Sequence, residues 1–131
     1  MTMQHYDPEV APDPQAWLAL DEAIRVGWIR NFHDKAALRT PALDTHVALH
    51  ATVENQIAMG LSYVADACTR LMAEGLSRHD ALHAIAAVLT AYMTELVEEK
   101  AEPVLALARY RANCERMSAE SWLAWLEEEE E

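Results

Sequence analysis

The segment from Ser77 to Lys100 reads SRHDALHAIAAVLTAYMTELVEEK and decides the fold class. Ser77 is a favourable residue just before a helix, and Asp80, three residues later, completes a variant of the capping box. Apolar side chains then recur every three or four residues, the spacing of one helical face. They are Leu82, Ile85, Leu89, Met93 and Leu96. The pattern predicts one long helix from Arg78 to about Lys100.

The flanking segments carry the same kind of helical signal. Asp13 and Pro14 predict the start of a first helix, because aspartate caps helices well and proline suits their first turn. Gly75 predicts the end of an earlier helix, since glycine is common just past a helix C-terminus. Helix starts are predicted near Asp13, Asp44, Ser62, Arg78, Pro103 and Ser118. With no alternating strand pattern, the fold class is predicted to be all-α, a compact bundle of five or six helices.

Length and composition predict one domain. The chain has 131 residues, of which 52% are hydrophobic. A chain of that size buries a core without disulfides or a structural metal. We therefore expect residues 1–131 to form a single helical domain, in which 1–12 is a loose N-terminal arm and 127–131 is a solvated acidic tail. Cys68 and Cys114 lack a CxxC spacing and are expected to be reduced, buried thiols.

The charge balance excludes several classes of partner. With 22 acidic against 10 basic residues, the net charge is −12. Such a chain repels nucleic acid and anionic membranes, and no run of Lys or Arg offsets this. No apolar run approaches about 18 residues, and the N-terminus lacks a basic and apolar leader. We expect no nucleic-acid or membrane partner, no signal peptide, and a cytoplasmic protein.

A row of polar side chains occurs in the second predicted helix. His46, His50 and Glu54 follow one another at steps of four residues. Each such step turns a helix by only about 40°, so the three side chains lie in one row. Val53 and Ile57 fall beside this row on the helical wheel. The histidines are therefore predicted to face the core rather than solvent.

A second pair, His79 and His83, lies at the start of the long helix, with Asp80 beside it. If the two rows face each other, four imidazoles converge between two helices. Imidazole-rich sites suit Zn, Fe, Ni or Cu better than Mg or Ca. The predicted metal ligands are His46, His50, His79, His83 and Glu54. Glu54 is predicted as ligand or general base, and metal-assisted hydrolysis is the chemistry expected at an open coordination position.

A non-catalytic interpretation stays open beside the metal site. The histidines would then form a buried polar layer with Glu54 and Gln56 as hydrogen-bond partners. Apolar and aromatic residues near both ends of the chain, Trp17, Trp28, Trp122 and Trp125, favour core packing or self-association. A homodimer is then expected, because two-fold dimers are the commonest oligomers. The sequence names no protein partner and does not decide whether the chain is an enzyme.

The two histidine motifs also carry a resemblance. The stretch with His46, His50, Glu54 and Gln56, followed by GLSRHDALH at 75–83, resembles a family of small bacterial helical proteins described as a domain of unknown function. The resemblance covers about the middle third of the chain. It implies a bacterial cytoplasmic origin and a matched pair of His motifs, and it implies no activity.

Overall fold

The structure, a computed structural model, describes residues 6–35 and 43–130. Within these ranges the chain forms seven α-helices and no strand, which confirms the all-α prediction. The helices are α1 (Pro14–Ala19), α2 (Glu22–Lys35), α3 (Leu43–Ala58), α4 (Ser62–Ala73), α5 (Arg78–Val97), α6 (Pro103–Arg116) and α7 (Ala119–Glu130). A bundle of five or six helices is not confirmed.

The additional helix arises near the N-terminus, where one helix was predicted and two are found. Asp13 caps α1 as expected, accepting a hydrogen bond from the Ala16 N–H at 3.0 Å. The backbone then becomes extended at Leu20, and Asp21 precedes a new helix whose Ile24 N–H donates to the Asp21 carbonyl at 2.9 Å. Aspartate is favoured in this position, so the turn restarts the helix at little cost.

The helix ends around α5 agree closely with the sequence pattern. The Ser77 hydroxyl accepts a hydrogen bond from the Asp80 N–H at 3.1 Å, the expected cap. Gly75, in the turn before it, has φ 112°, a backbone conformation that favours glycine. The long helix ends at Val97, slightly before the predicted Lys100.

Two clusters of buried apolar side chains form the interior. One joins α4, α5, α6 and α7 around residues such as Leu71, Ile85 and Trp122. The other joins α1, α2 and α3 and contains Tyr6, Trp17, Ile29, Val47 and Ala51. Helix α3 contributes to both, because Val53 belongs to the first cluster and Val47 to the second. The two faces of α3 therefore point into two different apolar environments.

Both ends of the chain are more ordered in structure than the sequence pattern indicates. Residues 1–5 of the predicted loose arm lie outside the described residues, but Tyr6 is buried in the second cluster. At the other end, α7 continues through the predicted acidic tail to Glu130, since glutamate is a good helix former and no glycine or proline interrupts it. Cys68 and Cys114 are free and buried, as predicted.

Helix α5 is the central element. It packs against α3, α4 and α6. Among the described residues it is the one helix long and apolar enough to cross a membrane, judged by length and composition alone. A single helix of this kind is weak evidence for a membrane span, because the core helix of a soluble protein has the same properties.

Candidate metal centre

The two histidine rows face each other across the contact between α3 and α5. The ring centroids of His46 and His83 lie 4.8 Å apart, and those of His50 and His79 lie 5.6 Å apart. Residues that come later on α3 thus contact residues that come earlier on α5, so the two helices run antiparallel. The rows converge because each pair occupies one face of its helix at i and i+4.

Three of the histidines come close enough to share one ion. One ligand nitrogen from each of His46, His50 and His83 lies within 4.8 Å of the other two. Nitrogens bound to one tetrahedral zinc at about 2.1 Å lie about 3.4 Å apart. Modest side-chain rotations therefore suffice to bring the three imidazoles to a common ion. His50 is buried, while His46 and His83 are partly exposed, which leaves the group a route to solvent.

His79 lies beside this group without belonging to it. Its ring centroid is 4.2 Å from that of His83, and the ring of Phe32 meets it edge-on at 5.3 Å. The structure therefore places all four predicted histidines in one cluster. It brings three of them, His46, His50 and His83, to metal-binding distance.

Glu54, the fifth predicted site residue, takes part in a buried ion pair. Both of its oxygens accept hydrogen bonds from Arg78, each at 2.8 Å, and the Tyr6 hydroxyl donates to its Oε2. Glu54 is 1% exposed and Arg78 is 4% exposed. A buried carboxylate requires such partners, because removing a charge from water without them costs several kcal/mol, at about that order.

The same tyrosine connects the ion pair to the histidines. The Tyr6 Oη lies 2.9 Å from the Nε2 of His50. Burial, and after it the negative charge of Glu54, raises the pKa of Tyr6 above its ordinary value. Burial lowers the pKa of Arg78, but the hydrogen bonds and charge of Glu54 outweigh it and raise that pKa overall. Tyr6 is therefore a neutral hydroxyl and Arg78 a cation at neutral pH.

The N-terminal segment is attached to the start of α5 by backbone and side-chain hydrogen bonds. The Pro8 carbonyl accepts from the Arg78 guanidinium at 2.9 Å. The Glu9 carboxylate accepts from the backbone N–H groups of Arg78 and His79, at 3.0 and 3.4 Å. These bonds satisfy donors at a helix N-terminus, which otherwise lack partners. They hold Tyr6 next to the histidines.

Two other residues predicted near the site have different partners. Gln56 accepts a hydrogen bond from the Tyr110 hydroxyl at 2.6 Å, on the side of α3 away from the histidines. Asp80 is exposed, and its backbone N–H donates to the Ser77 cap. The polar layer predicted around the histidines thus contains Glu54 but not Gln56.

Sequence reasoning did not identify Tyr6 and Arg78, which complete the site. Tyr6 stands in a short segment without periodicity, so nothing in the pattern indicates that it is buried. Arg78 carried a usable signal, however. Glu54 lies in a row predicted to face the core, and a buried carboxylate needs a cation, which Arg78 supplies beside the second histidine pair.

Comparison with known proteins adds no relative. The chain matches no protein-family model, and neither a curated protein nor a solved structure matches it significantly.

Proposed function

We propose that this protein binds a transition metal ion through His46, His50 and His83. The observation that supports the proposal is the placement of their three ligand nitrogens within 4.8 Å of one another. They belong to two helices, α3 and α5, and one of the three side chains is buried. Such a site is pre-organised by the helix packing, so the metal does not have to order a loop in order to bind.

The donor set favours a metal that prefers nitrogen ligands. Zinc is our first candidate, with Cu, Ni and Fe as the alternatives. Glu54 is held by Arg78 and Tyr6, so we propose that it orients its neighbours rather than ligating the ion or acting as a general base. Without a carboxylate ligand, the three imidazoles leave the charge of the ion uncompensated.

Three protein ligands also leave a coordination position for water or substrate, as in catalytic zinc sites. Metal-assisted hydrolysis is the reaction class that this arrangement supports, because an uncompensated ion lowers the pKa of bound water most effectively. His46 and His83 are partly exposed, so a small molecule has access to the position. We place the protein in the bacterial cytoplasm, on the resemblance of its histidine motifs.

The test is elemental analysis of untagged protein prepared without chelator or immobilised metal. We expect close to one Zn, Cu, Ni or Fe per chain in the wild type and loss of the metal in His46→Ala and His83→Ala. His79→Ala is the matched control, since it removes a neighbouring imidazole outside the group and should retain most of the metal. Metal-free wild type that does not take up added zinc, or full occupancy in both ligand variants, would contradict the proposal.

A second candidate function is self-association without catalysis. It is favoured by a row of exposed apolar side chains on α6, where Val104 is 71% exposed and Leu105 is 57% exposed. On α7, Leu123 and Trp125 are also exposed. Monomeric proteins expose few contiguous apolar patches of large size. Light scattering is expected to show a dimer that Leu105→Glu dissociates, whereas a monomer at high concentration would exclude this candidate.

A further inference from the structure

The direction of two hydrogen bonds at Tyr6 can be worked out from its partners. The Glu54 carboxylate is paired with Arg78 and can only accept hydrogen bonds. The single hydroxyl hydrogen of Tyr6 is therefore donated to Glu54. The phenol oxygen is left as the acceptor in its 2.9 Å contact with the Nε2 of His50, so His50 is the donor.

This direction has a consequence for His50 as a ligand. A neutral imidazole carries one N–H, and the nitrogen without hydrogen is the one that binds a metal. If the N–H is at Nε2, facing Tyr6, the metal-binding lone pair is at Nδ1. Hydrogen bonds to the far nitrogen of a metal-bound histidine generally set its tautomer and orientation in this way.

We propose that Tyr6, Glu54 and Arg78 are positioning residues that hold the proton of His50 on Nε2 and present Nδ1 to the metal. The inference rests on the proposed metal site and deepens it. Arg78 keeps Glu54 an acceptor, Glu54 takes the Tyr6 hydrogen, and Tyr6 takes the His50 hydrogen. Because Pro8 and Glu9 bind Arg78, the N-terminal segment is part of the metal centre.

The first experiment measures the His50 tautomer in metal-free protein by long-range ¹H–¹⁵N NMR. The wild type should show the Nε2–H tautomer. Tyr6→Phe removes only the hydroxyl and keeps the ring between Trp17 and Phe32, so the fold should survive while the tautomer becomes mixed. An Nδ1–H tautomer in the wild type, or an unchanged Nε2–H tautomer in Tyr6→Phe, would overturn the proposal.

The second experiment measures zinc affinity by competition with a chromophoric chelator. Tyr6→Phe should weaken binding about 10- to 100-fold, the usual effect of losing such a partner. Tyr110→Phe is the matched control, because Tyr110 is equally buried and donates its hydroxyl to Gln56, away from the histidines. Equal affinities in the two variants would overturn the proposal, even with a changed tautomer.

Glu54→Gln supplies an independent check on the direction of the bonds. If the glutamine oxygen faces Arg78, its amide N–H₂ faces Tyr6 and the phenol must donate to His50 instead. We expect the His50 proton to move to Nδ1, and zinc affinity to fall at least as far as in Tyr6→Phe. Retention of the Nε2–H tautomer would contradict the direction we infer. Failure of the wild type to bind zinc would refute the metal site, while the tautomer data would still decide the hydrogen-bond network.

Discussion

Glu54 carries a negative charge into the interior and is held there by hydrogen bonds from two side chains. Arg78 binds both carboxylate oxygens, and Tyr6 binds one of them. Such a pair contributes little net stability compared with apolar residues of the same size, but breaking it leaves a charge buried without its counter-ion. Its presence in a small domain is therefore better explained by the histidines beside it than by stability alone.

Arg78→Met is expected to lower the free energy of unfolding by about 3–5 kcal/mol, because it leaves the Glu54 carboxylate without a counter-ion. Urea denaturation followed by circular dichroism measures the change. The matched control is Arg109→Met, which breaks the 2.5 Å pair with Glu95. Arg109 is about half exposed, so its loss should cost less than about 1 kcal/mol. Equal losses in the two variants would show that the buried pair is not special.

Cys114 predicts a loss of stability in alkaline solution. Burial raises the pKa of this thiol from 9.0 to about 11. Between those two values the unfolded chain loses the proton while the folded protein keeps it, so the thiol's contribution is complete below pH 9 and disappears by about pH 11. The loss should approach about 3 kcal/mol. Urea denaturation at pH 8 to 11 should show a steeper decline for wild type than for Cys114→Ala, and parallel curves would refute the prediction.

At the scale of single elements, the helix ends are decided by local chemistry. Asp13, Ser77 and Glu102 each accept a hydrogen bond from a backbone N–H in the first turn of α1, α5 and α6. These caps were readable from the sequence for α1 and α5, because capping depends on neighbours three residues away. The break between α1 and α2 was not readable, because the apolar stripe from Trp17 to Trp28 continues across it.

Two glycines should respond oppositely to alanine. Gly27 lies inside α2, where an added Cβ meets no atom within 4 Å, so Gly27→Ala should stabilise the protein by about 0.5–1 kcal/mol. Gly75 has φ 112°, which an alanine adopts only with strain, so Gly75→Ala should destabilise it by roughly 1–3 kcal/mol. Thermal and urea unfolding of both variants provide the measurement. The same sign of change in both would contradict the backbone argument.

At the scale of the whole molecule, the polar site lies between two apolar clusters. Viewed down α3 at about 100° per residue, His50 and Glu54 fall between Val53, which belongs to one cluster, and Val47, which belongs to the other. A metal bound to α3 and α5 would therefore link the elements that hold the two clusters together.

Metal binding should accordingly stabilise the entire fold. With free zinc at about 100 times its dissociation constant, the free energy of unfolding should rise by about 2.7 kcal/mol, because only the folded chain assembles the site. Urea unfolding at fixed zinc concentrations, with and without chelator, measures the effect. The double variant of His46→Ala and His83→Ala should show no dependence on zinc. A wild type insensitive to zinc, or an equally sensitive double variant, would be inconsistent with the site.

The amino-acid sequence was sufficient for features that depend on neighbours within one or two helical turns. It predicted an all-α fold, the cap at Ser77, the turn at Gly75, and the rows of His46, His50 and Glu54 on one side and His79 and His83 on the other. Helical periodicity determines all of these, because it relates residues three or four positions apart.

Packing between distant segments decided the remainder. That the two rows face each other depends on the antiparallel contact of α3 with α5, and that Glu54 is held by Arg78 and Tyr6 depends on contacts spanning 24 and 48 residues. Such contacts leave no periodic trace in the sequence, because each requires only one suitable side chain at each end. For this reason the histidine motifs were visible beforehand, whereas the N-terminal segment that completes their site became apparent only in the folded chain.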